Sequence, residues 1–212
     1  ITHLCEDRDG LIWVGSDSGV GYYNPETEQV KELDALTKDN IAIKGAVSEI
    51  VEDEKGLLWL LVDNQGVFSY DKHKNELKYY NLGSAVQRTN FVSIVFDRNG
   101  KVWLASFGSG LWYSDDNLKT IHKFTDSSGN DVFGHRVINK MKMVRGLLYV
   151  CVDKLGLIAI NPANNKIISV FGTQELNPVP LIRDFLFVSA NELWIVGETG
   201  LYIYNLSTKE YR

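Results

Sequence analysis

Apolar and polar positions follow one short pattern along this chain, and the pattern is written five times. An apolar run ends in a polar turn that holds a glycine, and a second apolar run follows, centred on a large aromatic residue. Glu6-Asp7-Arg8-Asp9-Gly10-Leu11-Ile12-Trp13 is the first copy, followed by Glu52-Asp53-Glu54-Lys55-Gly56-Leu57-Leu58-Trp59 and Phe96-Asp97-Arg98-Asn99-Gly100-Lys101-Val102-Trp103. Two copies are eroded: Lys142-Met143-Val144-Arg145-Gly146-Leu147-Leu148-Tyr149 and Phe187-Val188-Ser189-Ala190-Asn191-Glu192-Leu193-Trp194. The anchors Trp13, Trp59, Trp103, Tyr149 and Trp194 stand 46, 44, 46 and 45 residues apart. Self-similarity at a fixed period of this size marks a repeat architecture.

The second repeat shows the unit most clearly. Residues 47–53 read as a first strand and 57–62, almost wholly apolar, as a second strand covered on both faces. Residues 67–70 form a third strand after the turn 63–66, and 76–81 a more polar fourth. The glycines Gly10, Gly56, Gly100 and Gly146 sit in the first turn, where a tight two-residue hairpin with positive φ is expected. Four antiparallel strands in a repeat of this length make one blade of a β-propeller. The expected fold class is therefore all-β, five four-stranded blades at about 1–34, 46–82, 91–124, 137–171 and 181–212, in one segment of a larger propeller. The five aromatic anchors are read as structural, filling the wedge between adjacent blades.

Composition narrows the function. The 212 residues carry a net charge of −5, which argues against nucleic acid because phosphate binding needs clustered Lys and Arg. No apolar run reaches the ~18 residues that span a bilayer, so no membrane contact is expected of this segment. The chain opens on Ile1 within a strand-like pattern and reads as a piece of a longer protein. Cys5 and Cys151 fall in different repeats and are expected as buried free thiols. His3, His73, His122 and His135 are scattered, without metal-ligand spacing, so no metal or cofactor is expected.

The run apolar-x-x-Ile-x-x-Asp-x-x-Gly-x-x-Trp, with Asp7, Asp53 and Asp97 at its acidic position, resembles the two-component regulator propeller repeat. The Asp-to-Gly spacing is one residue longer than in the Asp box of sialidase-like propellers. Met143 and Val188 replace the Asp in the last two repeats. The resemblance implies the periplasmic sensor region of a Bacteroidetes hybrid two-component system. It implies recognition of an oligosaccharide and control of polysaccharide-utilisation genes through a downstream histidine kinase in another domain. The implied partners are the remaining blades and signalling domains of the parent chain, and a homodimer. No catalytic residue is expected here.

In such a propeller the second-to-third-strand loops and the links between blades share one face. The links are 34–45, 83–90, 125–136 and 172–180, and binding residues concentrate on loops carried by a rigid scaffold. Sugar recognition calls for an aromatic face and planar polar groups. Arg88, Asn90, Phe107, Phe133, His135 and Arg136 are the candidates. An interaction or dimerisation propeller without a small-molecule site is the alternative, and a propeller lyase or hydrolase a third, because fold alone does not assign function.

Overall fold

The computed structural model describes the chain apart from residues 85, 87, 88, 172–180 and 209, with backbone alone at 169–171. Its strands form five four-stranded sheets, and each sheet keeps its strands in chain order. Blade 1 is β1 (His3–Glu6), β2 (Ile12–Ser16), β3 (Gly19–Asn24) and β4 (Gln29–Glu32). Blade 2 is β5 (Val47–Glu52), β6 (Leu58–Val62), β7 (Gly66–Asp71) and β8 (Glu76–Tyr80). Blade 3 is β9 (Phe91–Phe96), β10 (Val102–Ser106), β11 (Leu111–Ser114) and β12 (His122–Lys123). Blade 4 is β13 (Ile138–Val144), β14 (Leu147–Val152), β15 (Gly156–Asn161) and β16 (Lys166–Phe171). Blade 5 is β17 (Ile182–Phe187), β18 (Glu192–Gly197), β19 (Gly200–Asn205) and β20 (Glu210–Tyr211). These are the antiparallel blades of a β-propeller, as the repeat predicts, and the described residues contain no helix.

The chain groups into two compact units. One comprises Ile1–Phe96, Gly100–Leu104 and Ser114–Ile121; the other comprises Asp97–Asn99, Ala105–Tyr113 and His122–Arg212. Blades 1 and 2 belong to the first unit, blades 4 and 5 to the second.

Each unit shows how blades stack. A strand sends alternate side chains to opposite faces. The face that carries Trp13 also carries Cys5, Val20 and Tyr22, and it packs on the face of blade 2 that carries Ile50, Leu58, Leu60, Phe68 and Tyr70. The Trp13 and Tyr70 rings meet edge-on at 5.8 Å between centroids. Trp59, on the opposite face of blade 2, meets Phe96 of β9 at 5.1 Å. In the second unit Tyr149 and Cys151 of blade 4 pack on Phe185, Leu193, Ile195 and Tyr204 of blade 5, and Tyr149 stands 4.8 Å from Phe187. Burying an aromatic side chain between blades removes a large apolar area from water, so these contacts dominate the packing energy.

A polar latch accompanies each apolar contact. The first strand of a blade is an edge strand, with backbone groups left unpaired by its own sheet. A side chain three residues before the anchor's cross-strand partner supplies the missing bond to the next blade. Thr2 Oγ1 donates to Val47 O (2.6 Å), Ser48 Oγ to Phe91 O (2.8 Å) and Asn139 Nδ2 to Ile182 O (3.0 Å). The buried Glu49 carboxylate accepts from the Ile94 N–H.

Both cysteines are free. Cys151 is buried, as expected, but Cys5 is only half-buried because its strand lies beside an open groove. Burial pushes both thiols above their ordinary value.

Candidate functional site

The repeated Asp-x-x-Gly-x-x-Trp residues account for one another. Asp7 Oδ1 accepts the Asp9 and Leu11 N–H groups at 2.9 and 3.0 Å, and Oδ2 accepts the Trp13 indole N–H at 2.8 Å. Asp53 repeats this with Lys55 (2.8 Å), Leu57 (3.0 Å) and Trp59 (2.9 Å). Asp97 Oδ1 accepts the Asn99 N–H at 2.8 Å. The carboxylate thus braces the turn and fixes the ring that fills the wedge, so these residues build the blade.

The turn itself differs from the two-residue hairpin the glycines suggest. In blades 1 and 2 the last paired residues are Glu6↔Ile12 and Glu52↔Leu58, which leaves a longer turn folded around the Asp side chain. Gly10 and Gly56 take positive φ, while the residues before them do not. The tight form occurs in blade 4, where Val144 pairs with Leu147 and both Arg145 (φ 52°) and Gly146 (φ 81°) are left-handed. With Met143 in place of the Asp, nothing braces a longer turn. Blade 5 solves the loss differently. Ser189 Oγ accepts the Asn191 and Glu192 N–H groups (3.2 and 3.1 Å), and Glu192 Oε1 takes the Trp194 indole N–H at 2.7 Å.

An ion-pair clasp ties the turns of the first two blades. Lys72 Nζ lies 2.8 Å from Asp7, 2.7 Å from Asp9 and 3.0 Å from Glu52. Burial alone would raise the Asp7 carboxyl, but bonds from Lys72, Trp13 and Leu11 outweigh it and hold the group below the usual carboxylate value. Burial likewise acts to lower Lys72, and its three carboxylate partners reverse this and raise it. An open groove nearby, lined by Cys5, Glu6, Asp7, Arg8, Ile50, Val51 and Glu52, is a feature the sequence reading did not single out. The Asp7 and Glu52 oxygens in it are already taken by Lys72 and by the Arg8 N–H. Its residues come from two repeats, and no single stretch of sequence displays them together.

The loop face carries the chemistry that the repeats do not absorb. In the second unit the link 125–137 is folded rather than loose. Asp126 Oδ1 accepts the Ser128 and Asn130 N–H groups, Asp131 Oδ1 accepts Gly134 N–H at 2.7 Å, and Lys123 pairs with Asp131 at 2.7 Å. Phe133 is fully buried against Phe124 with ring centroids 5.4 Å apart, so its ring anchors the link and is closed to a ligand. A Cβ at Gly110 would stand 2.7 Å from Gly134 O, which shows how closely the link lies on the β10–β11 loop. Phe107, at that loop's tip, bridges to Val137 and is 64% exposed. His135 and Arg136, just before Val137 in the chain, are exposed as well. The backbone thus brings Phe107, His135 and Arg136 to one loop cluster on a braced base.

Two candidates fall in the other unit. Asn90 is half-buried, and its Oδ1 accepts the Asn64 N–H at 3.2 Å, so it joins the 81–90 link to the β6–β7 loop. Arg88 lies outside the described residues. Among the described residues no group of three or more His, Cys, Asp or Glu is placed to hold a metal ion, and no helix is long and apolar enough to cross a membrane.

Comparison with known proteins supports the repeat. Residues 1–18 match the family described as two component regulator propeller. No curated protein matches the chain. Among solved structures it is similar to the extracellular domain of the putative hybrid two component system BT4673 from B. thetaiotaomicron, at 22% identity and TM-score 0.77, covering 100% of this chain and 29% of that one. The corresponding domain of BT3049 from B. thetaiotaomicron gives 16% identity and TM-score 0.75, covering 100% of this chain and 28% of that one. Virginiamycin B lyase from Staphylococcus aureus shares the fold at 14% identity and TM-score 0.73, over 99% of this chain and 67% of that one. The chain spans less than a third of the length of the two sensor domains. The family match covers the first two strands of blade 1, and all five blades share its four-stranded order, so the chain is similar to two-component regulator propeller repeats in sequence at blade 1 and in fold throughout.

Proposed function

We propose that this chain is part of the extracytoplasmic sensor region of a two-component signalling receptor, that it lies in the periplasm, and that it responds to an oligosaccharide. The observation that carries the reading is the exposed Phe107 ring, set beside His135 and Arg136 on a link braced by Asp126, Asp131 and the buried Phe133. An open aromatic face suits the C–H face of a sugar ring, and a guanidinium and an imidazole suit its hydroxyls. A rigid base lowers the ordering cost of binding. The two-component sensor domains of the same fold support the signalling role. Histidine kinase activity and control of polysaccharide-utilisation genes belong, in this reading, to other domains of a longer chain.

The test is calorimetric titration of the folded protein with plant, host-glycan and fungal oligosaccharides, beside Phe107→Ala and Arg136→Ala. The reading expects a saturable signal for one sugar class that either substitution weakens about five- to thirtyfold, since a stacked ring and a charged hydrogen bond each contribute on the order of 1–2 kcal/mol. Silence across the panel would overturn it. Binding that neither substitution alters would keep the sensor and move its site. The alternative, an interaction propeller, draws on the apolar faces of blades 1 and 5.

A further inference from the structure

The braced link beside Phe107 also gathers cations that the fold does not use. Val137 is engaged on both sides: it bridges to Phe107, and its carbonyl accepts the Asp153 N–H at 3.0 Å. Paired backbones lie about 5 Å apart, so the β10–β11 and β14–β15 loops flank the end of the link at roughly 10 Å from each other. Phe107 stands on one side and Lys154 on the other, with His135 and Arg136 between them, and all four are exposed. Among the described residues the side chains of His135, Arg136 and Lys154 have no hydrogen-bond or ion-pair partner. The acids beside them are engaged. Asp131 pairs with Lys123 at 2.7 Å, and the half-buried Asp153 accepts from Asn139 Nδ2 at 2.6 Å, while Arg183 donates to the same amide at 3.2 Å.

The repeat does not call for these charges. The loop between second and third strands opens with Asp17-Ser18 in blade 1, Asp63-Asn64 in blade 2 and Glu198-Thr199 in blade 5, an acid followed by a neutral polar residue. Blade 4 keeps the acid, Asp153, and replaces the neutral residue by Lys154. The position of Arg136 is Gly45 in blade 2, since the Asp63 N–H bonds Ala46 O as the Asp153 N–H bonds Val137 O. A Cβ at Gly45 would stand 2.5 Å from Asp63 O, so blade 2 leaves no room for a side chain where blade 4 presents a guanidinium. On a chain of net charge −5, a positive spot that braces nothing is suited to attract an anion.

We infer that the oligosaccharide taken by this site is acidic, with a carboxylate or sulfate on a sugar whose ring stacks on Phe107 while Arg136 and Lys154 hold the charge. The inference rests on the sugar-binding reading above and names the class of sugar. Arg offers its N–H groups in a fork that matches two oxygens of either group, and Lys adds a mobile point charge.

The test is calorimetric titration with matched pairs of sugars: an oligogalacturonate beside its neutral methyl ester, and a sulfated galactan oligosaccharide beside its unsulfated form. The proteins are the unmodified chain, Lys154→Gln and Phe107→Ala. Lys154 is exposed and unpartnered, so Lys154→Gln keeps the fold, and circular dichroism checks it. The inference expects at least one acidic sugar to bind about tenfold or more tighter than its neutral counterpart, because charge-assisted hydrogen bonds are roughly twice as strong as neutral ones. The pair that shows the preference identifies the group as carboxylate or sulfate. Added salt should shrink the preference, and Lys154→Gln should cut it about threefold or more, whereas Phe107→Ala should weaken acidic and neutral sugars alike. Neutral sugars bound as tightly as acidic ones, or a preference that Lys154→Gln leaves intact, would overturn the inference and leave the oligosaccharide reading standing. Silence from all four sugars would also overturn it, and the wider panel above then decides that reading separately.

Discussion

Blade 2 and blade 5 have the same strand order and pairing and differ in what covers them. In blade 2 β6 is buried along its whole length and both faces meet a neighbouring blade, through Tyr70 on one side and Trp59 on the other. In blade 5 β18 alternates between buried and less buried residues, because Leu193 and Ile195 face blade 4 while Trp194 and Val196 face the open side. A blade of this size cannot bury both faces by itself. Its stability is therefore largely a property of its neighbours, as in other stacked repeats.

The largest way to expose this difference is to remove the anchor ring from each blade. Trp59→Ala should cost about 3–5 kcal/mol in urea unfolding, since a buried ring leaves a cavity. Trp194→Ala should cost only about 1–2 kcal/mol, because its ring is partly exposed and less apolar area is lost. Equal losses would contradict the neighbour account.

The braces come next. Asp53→Ala strips the turn and the Trp59 indole of their acceptor and should cost about 1.5–3 kcal/mol. In blade 5, where Val188 replaces the Asp, Glu192→Ala should cost less, about 1 kcal/mol, because the Glu bonds the indole while Ser189 holds the turn. Both can be read from unfolding midpoints.

The Lys72 clasp sharpens the comparison through pH, because blade 5 has no counterpart to it at Val188. Asp7 is depressed in the folded state, so its contribution is present above the unfolded value of about 4 and fades as pH falls through and below it. Lys72 is raised, so its contribution is full below about 10.4 and is lost as pH climbs beyond. Lys72→Met should therefore cost about 2 kcal/mol at neutral pH and progressively less at either extreme. The smallest effect is the latch: Ser48→Ala should cost about 0.5–1.5 kcal/mol.

Much of this was legible in the sequence because period and pattern are local properties. The anchor spacing located all five blades, and strand limits such as Glu76–Tyr80 fell within a residue of the expected ones. What escaped depends on contacts between repeats or on side-chain direction. Phe133 reads as an exposed loop aromatic until Phe124 is seen beneath it. Asn90 reads as a free amide until it is seen holding Asn64. The turn around Asp7 hides its length, because the sequence does not show that the carboxylate takes the Asp9 and Leu11 N–H groups while the Asp7 N–H bonds Leu11 O. Glu192 stands two residues before Trp194 rather than at the Asp position, so the repeat pattern does not reveal that it accepts the indole N–H. Phe107 lies some thirty residues from His135 and Arg136 in the chain, and the Phe107–Val137 bridge brings them to one cluster.

Amide hydrogen exchange on dilute protein, resolved strand by strand, tests most directly the claim that neighbours hold these blades. The account expects the slowest exchange in β5–β7 and β13–β15, whose faces are covered, and markedly faster exchange in β1 and in β18–β20, beside the open faces. Uniform protection across all five blades, or slower exchange in blade 5 than in blade 2, would contradict it.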